Sequence, residues 1–433
     1  MATFNHPNYD LVDGDRIVRK ASAPQKQTMA ENEELCNELA RYVEEYIMTT
    51  YDFVPIPIPD DDDITNKTSI LASRNWTTAT KILVIINNAS GSVMGIFSGS
   101  TCMDAGLSKG SMIPYIERAL SGGYAVLVLR PNTNSTFEVD GSARRKVPIK
   151  GSESAEIHAL YVFENIIPQA ESVTHIALLG YGNGASLCKD LFLRQMVRKG
   201  SSVDKQIKAV VTVEASHIAE DDDAVDFKGV MRNIVVNLEM NNAVRGSRLA
   251  YRDKKLGCSS LSLGLPPGQT EKSENVAASI VLALDPVFLY LQLAESTPNP
   301  SKTFASAFAR ECGIDPVTSE VKVNPNAAED VTAPPPPAAE ASPAAPPKQG
   351  VFSRMSSMFS SKDKSAPAGG AAGGKGAAAA APEGKLAVTD FDLLKVVGKG
   401  AFGKASVLLT FDIVAVAGFM SFISSFLFCR CFN

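Results

Sequence analysis

Five short apolar runs set the pattern of the chain: Ile82–Ile86, Tyr124–Leu129, Ile176–Leu179, Ile207–Val213 and Ile234–Leu238. They are rich in β-branched residues and continuous rather than alternating, as strands buried on both faces of a parallel sheet are. Between them, Met112–Leu120, Ser154–Gln169 and Ala185–Lys199 carry apolar residues at helical spacing. In Ser154–Gln169 the buried face is expected to fall on Ile157, Leu160, Tyr161 and Phe163. An earlier helix is expected from Glu31, with Leu35, Leu39, Tyr42, Val43, Tyr46 and Ile47 on one side. A later one over Val276–Leu293 should pack on the sheet edge, kinked or split at Asp285-Pro286. This rhythm predicts the α/β class: a doubly wound, mainly parallel sheet with helices on both faces.

The flanks read differently. Residues 1–30 are polar, an arm with a short hairpin around Asp13-Gly14-Asp15. Residues 31–300 form the expected domain. Residues 301–385 read as a linker, since Pro334 to Pro337 and the Ala and Gly tracts bury too little apolar surface to offset ordering. Within it, residues 351–359 have the spacing of a short amphipathic turn.

Composition narrows the chemistry. At 433 residues, 45% of them hydrophobic, the chain buries at least one large core. A net charge of -5 gives no footprint for direct nucleic-acid binding. The seven cysteines form no C-x-x-C pair, and the polar N-terminus has no apolar leader, so a reducing intracellular compartment is expected. Four N-x-S/T sequons are then expected to be chance. Asp60 to Asp63 lacks the spacing of a calcium loop and reads as a solvated turn. No metal and no cofactor is expected.

The most specific local signal is Gly180-Tyr181-Gly182-Asn183-Gly184, a Gly-rich turn between the strand Ile176–Leu179 and a helix. This is the layout of the nucleophile elbow of α/β-hydrolases, where a Ser stands on the turn. Whether the nucleophile position is Gly180 or Gly182, the hydroxyl is missing. The chain has His6, His158, His175 and His217 and none after His217, where a base would follow in such an enzyme. Ser90, Ser186 and Cys188 are the substitutes an unusual hydrolase would need; Ser186 and Cys188, on the helix after the turn, are expected to pack or cap.

Over about residues 81–294 the chain resembles the argonaute-binding-protein (Arb-type) domain family. The likeness rests on Leu83–Ile86 through Ser90–Phe97, on Gly110–Leu120 with Gly123–Asn132, and on Gly151-Ser152-Glu153 with His158 and Tyr161–Ile167. The resemblance implies an α/β-hydrolase-like fold. It also implies the settings in which such domains occur: a fungal argonaute chaperone complex, fungal histone deacetylases, and animal cotranscriptional regulators. The family often carries His-Ser-Tyr-Gly-Gly at the elbow, which aligns here with Leu179-Gly180-Tyr181-Gly182-Asn183. The family acid falls at Glu214, with His217 nearby, and the late His falls in 263–275, which holds none. Ser90, Gly91, Gly95 and Asn132 are candidates to line the pocket.

Residues 386–404 resemble the opening of an AGC-group protein kinase, with Gly398, Gly400 and Gly403 matching its Gly-rich loop. The match stops there: Ala405 replaces the expected Val, and only 29 residues follow Lys404. Ile413–Cys429 is a run of 17 uncharged residues, and 407–429 is expected to be a membrane anchor or a misread gene segment. The preferred expectation is a non-catalytic interaction domain for a protein partner in silencing or chromatin regulation, cytoplasmic or nuclear. The alternatives are a regulatory domain fused to a kinase and a hydrolase with an unusual nucleophile.

Overall fold

The computed structural model describes residues 2–24, 28–87, 93–140, 143–197, 206–216, 219, 225–270, 277–315, 395–400, 403–408 and 428–432. The chain divides into two units, Met1–Lys362 and Asp363–Asn433.

The first unit opens with the hairpin β1 (Tyr9–Val12) and β2 (Arg16–Arg19), turned at Asp13-Gly14-Asp15 as expected. The arm is not loose. Tyr9 is buried, its hydroxyl accepts from Arg19 Nη1 at 2.6 Å, and Arg19 reaches Glu31 at 3.0 Å. Glu31 also completes a capping box with Thr28 at the start of α1 (Met29–Thr50). Then follow β3 (Phe53–Ile58), β4 (Thr68–Ser73), β5 (Lys81–Asn87), the short α2 (Gly99–Ala105) and α3 (Leu107–Gly110), and α4 (Ile113–Ser121). After β6 (Ala125–Val128) a hairpin of β7 (Ser135–Asp140) and β8 (Ala143–Pro148) leads to α5 (Ala155–Tyr161). The remainder alternates: β9 (His175–Tyr181), α6 (Gly184–Val197), β10 (Ile207–Val213), α7 (Val225–Ile234), β11 (Val235–Glu239), α8 (Ala250–Leu256), β12 (Ser259–Ser262), α9 (Ala278–Ser296) and α10 (Pro300–Glu311).

Eight of these strands form one sheet in the order β3-β4-β6-β5-β9-β10-β11-β12. β4 is antiparallel to both neighbours, and every other pair is parallel. Counted along the chain within the sheet, the order is 1-2-4-3-5-6-7-8 with the second strand reversed. That is the α/β-hydrolase arrangement, and it places the turn after β9 where those enzymes carry their nucleophile. Strand alternation sends Leu83 and Ile85 to the face covered by α1, α4, α9 and α10, and Ile82, Val84 and Ile86 to the face covered by α6 and α7. Both faces are dry, which explains why the strands read as unbroken apolar runs. The two margins differ from the interior. β3 carries Pro55 and Pro57, and the outer side of β12 is paired by residues 246–249, through Ser262 N to Ser247 O, Gly246 N to Ser262 O and Leu249 N to Ser260 O, all 2.8 Å.

Three expectations need correction. In 155–169 the buried residues are His158, Ala159, Val162, Phe163, Ile166 and Ile167, while Ile157 is 42% exposed. The helix widens to a π-turn at Val162–Ile166, which rotates the later residues off a single α-helical face. Pro286 does not split α9: the helix is continuous and Pro286 is buried within it. The packed domain does not end at 300, because α10 buries Phe304 and Phe308 against α9 through the Tyr290–Phe304 edge contact at 5.2 Å. By length and composition α9 alone among the described helices is apolar enough to cross a membrane. Its Ile280, Ala283, Val287, Tyr290 and Leu291 are instead packed into the core beside the sheet.

In the second unit, β13 (Lys395–Gly400), β14 (Gly403–Leu408) and β15 (Phe428–Phe432) form an antiparallel sheet. The two ends of the apolar stretch 407–429 lie in strands, with Leu408 paired to Phe428. Its residues 409–427, like 316–394 of the expected linker, lie outside the described residues.

Candidate functional site at the end of the fifth sheet strand

The turn after β9 decides which glycine holds the nucleophile position. Gly182 has φ +56, the left-handed conformation of an elbow, and a Cβ there would meet nothing within 4 Å. Gly180 lies inside the strand, where a Cβ would stand 2.8 Å from Cys188 Sγ and Gly184 O and 2.9 Å from Ala185 Cα. It is the glycine that lets α6 approach the sheet. The pattern therefore registers as G-x-Gly182-x-G, two residues later than the alignment that set Ser against Gly180. The space for a hydroxyl is present and the hydroxyl is not.

The surroundings of the turn are tied together by hydrogen bonds and ring contacts. Gly182 N donates to Val213 O at 2.9 Å, tying the elbow to β10, and Ser216 Oγ donates to Asn183 Oδ1 at 3.1 Å. Tyr181 is buried edge-on to Phe97, with ring centroids 5.5 Å apart, and burial pushes its phenol up to about 12, with the Glu214 charge adding and a hydrogen bond with Ser279 opposing. Glu214 follows β10 at φ 54. Its Oε1 accepts from Met240 N at 2.6 Å, and its own N–H donates to Leu238 O at 2.9 Å. Glu214 thus clasps the ends of β10 and β11. A second carboxylate, Glu239, holds Arg252 at 2.5 Å, and Arg252 Nη2 donates to Ala215 O at 2.6 Å. Nothing in the sequence marked this brace, because its members are dispersed along the chain and meet only in the fold.

The other candidates separate. Cys188 is fully buried on α6, and burial raises its thiol to about 12, so it is held as a neutral packing group. Ser186 lies in the first turn of α6, where its N–H donates to Asn183 O at 3.1 Å. Gly95, at φ +75, has its Cβ position 2.8 Å from Ile47 Cδ1 and from Val43 Cγ1, so its lack of a side chain admits α1. Asn132 is exposed in the turn after β6. Ser90, Gly91 and His217 lie outside the described residues. Residues 263–270 after β12 hold no histidine. His158, fully buried, accepts from Arg130 N at its Nε2 (3.2 Å) and meets Ser152 Oγ at its Nδ1 (2.9 Å). Burial first, and the Arg130 charge second, depress its pKa to about 3, so it is a neutral structural imidazole. Among the described residues no three His, Cys, Asp or Glu side chains group as metal ligands would. Gly398, Gly400 and Gly403 fall on the β13–β14 hairpin, where Gly400 pairs with Gly403.

Residues 25–243 match the Arb2 domain model. The chain belongs to the Arb2 domain family. It is 26% identical over 228 residues to the mouse protein named cotranscriptional regulator ARB2A, covering 41% of this chain and 53% of that one. The Xenopus tropicalis homologue of that regulator is 25% identical over 210 residues, covering 38% and 48%. The chain thus spans about half the length of the relatives it matches. Among solved structures, a histone deacetylase from Saccharomyces cerevisiae aligns at TM-score 0.32 and 14% identity, covering 50% of this chain and 83% of that one. The esterase Est22 aligns at TM-score 0.33 and 11% identity, covering 64% and 91%. The hydrolase-like fold of the Arb2 domain rests on its own strand order.

Proposed function

We propose that the Arb2 domain of this chain is a non-catalytic, α/β-hydrolase-like interaction domain that serves a protein partner in transcription-coupled chromatin regulation or small-RNA-guided silencing. The observation that carries the loss of catalysis is Gly182: an open elbow in which no atom can attack a carbonyl. The missing late histidine supports it, since a hydroxyl at the turn would have no base. The setting is supported by the relatives named as cotranscriptional regulators. The partner is protein rather than nucleic acid because the chain is acidic overall. The place of action is then the nucleus. Cys188 and Ser186 offer no substitute nucleophile in the geometry described above. The strand-paired ends of 407–429 give no support to a membrane anchor, and the β13–β14 hairpin alone gives none to a kinase.

Two measurements test this reading. The purified full chain should hydrolyse p-nitrophenyl acetate no faster than its heat-denatured control. Chromatin immunoprecipitation from the source cells should enrich it on transcribed or silenced loci. Turnover abolished by Ser90→Ala or Ser186→Ala, or a protein spread evenly over the genome, would sink the respective half.

A further inference from the structure

We propose that the Arb2 domain holds a second site, a pocket for a small organic phosphate monoester, at the start of β12 and away from the elbow. The cavity there has a volume of about 490 Å³, within the range of small-molecule sites. Neither Gly182, Asn183 nor Glu214 borders it, so the inference does not depend on the absence of catalysis.

The cavity is amphipathic. Leu261 from β12, Ala305 and Ala309 from α10, and Ile314 supply apolar surface. Three cations border the same space: Arg232 from the last turn of α7, Arg248 from the segment that covers β12, and Lys302 from the first turn of α10. Arg248 is already neutralised. Its Nε sits 2.5 Å from Asp253 Oδ2, and Asp253 Oδ1 is fixed by Ser260 N at 2.6 Å. Asp315 also borders the cavity and has an interaction of its own. Arg232 and Lys302 make no ion pair with any described residue.

Two unneutralised cations from two helices match a dianion better than a monoanion, which favours a phosphate ester over a carboxylate. The position of Lys302 argues the same way. A lysine in the first turn of a helix opposes the helix dipole, and a dianion lodged there reverses that local cost. The apolar surface sets the rest of the ligand: a body of aromatic or branched-aliphatic character below the phosphate. A bare phosphate leaves that surface empty.

Phenyl phosphate is the probe, titrated calorimetrically into the full chain at low salt. Saturable one-to-one binding is expected, with inorganic phosphate, benzoate and benzyl alcohol each at least tenfold weaker. Arg232→Gln and Lys302→Gln each remove an exposed side chain, so folding is preserved, and each should weaken phenyl phosphate by about tenfold. Arg74→Gln, at a distant surface pair with Asp52, should change nothing. The proposal is overturned by absence of saturable binding, by equal affinity for benzyl alcohol, or by phenyl phosphate affinity that survives both cavity substitutions. Ester hydrolysis is measured on the same samples, so failure of this site and failure of the non-catalytic reading are separable.

Discussion

At the N-terminal end of the sheet, four polar side chains from distant parts of the chain close on one another. Lys81 Nζ meets Glu295 Oε1 at 3.0 Å and Gly122 O at 2.9 Å, Tyr124 OH donates to Glu295 Oε1 at 2.8 Å, and His175 Nε2 lies 3.4 Å from the same hydroxyl. At the C-terminal end, where hydrolases of this fold do their chemistry, the turn holds Gly182 and the carboxylate of Glu214 is bonded to backbone. At the first end every group has a structural partner and α9 is clamped to the sheet. At the second the hydrogen bonds run to backbone, and the turn leaves open space beside Gly182.

The contrast sharpens in the two buried histidines, which also give the largest expected effect. Burial lowers the pKa of both, but at His175 the Glu295 charge opposes the shift, whereas at His158 the Arg130 charge adds to it and the value falls to about 3. A histidine depressed in the folded state stabilises fully above its unfolded value near 6.5, and that contribution is lost as pH falls toward 3. Urea unfolding between pH 6 and pH 4 should lose about 1.4 kcal/mol per pH unit through His158. His158→Asn should flatten that slope and His175→Asn should leave most of it; the reverse pattern would break the comparison.

Next in size is Gly180→Ala, whose Cβ meets the backbone of Gly184 and Ala185. It should destabilise by about 2 kcal/mol, read as a lower urea midpoint, since backbone cannot give way as a side-chain tip does. Glu295→Gln strips the clamp of its charge, yet the group is 35% exposed, so solvent screening holds the loss to about 1.5 kcal/mol. Smallest is Gly182→Ser, with open space around it and only the left-handed backbone to oppose it, about 1 kcal/mol. That variant should still hydrolyse no p-nitrophenyl acetate. Turnover from the added hydroxyl alone would show that a base stands at the elbow after all.

The apolar strands were legible because burial on both faces leaves a continuous signature. β10 was read to its exact bounds, Ile207–Val213. β3 was not, since Pro55 and Pro57 argue against a strand unless it lies at a margin, and marginal position is a property of the assembled sheet. β12, with three serines in four residues, has no apolar signature at all. α10 was lost to the linker because its periodicity rests on Phe304 and Phe308 within a small-residue background. At the elbow the motif was visible but its register was not. Two glycines two residues apart are alike in sequence and are told apart only by the sign of φ and by what a Cβ would strike.

The prolines of β3 have a further consequence. The ladder to β4 runs in register from Phe53↔Ser73 to Ile58↔Thr68, so the donors that Pro55 and Pro57 lack are those on the solvent side. At the opposite margin β12 is already paired by the 246–249 segment. Neither border offers an open row of N–H groups on which an extended peptide or a second copy can continue the sheet. Among the described residues, a molecule recruited to the eight-stranded sheet therefore meets helices, loops and side chains before it meets a free strand edge.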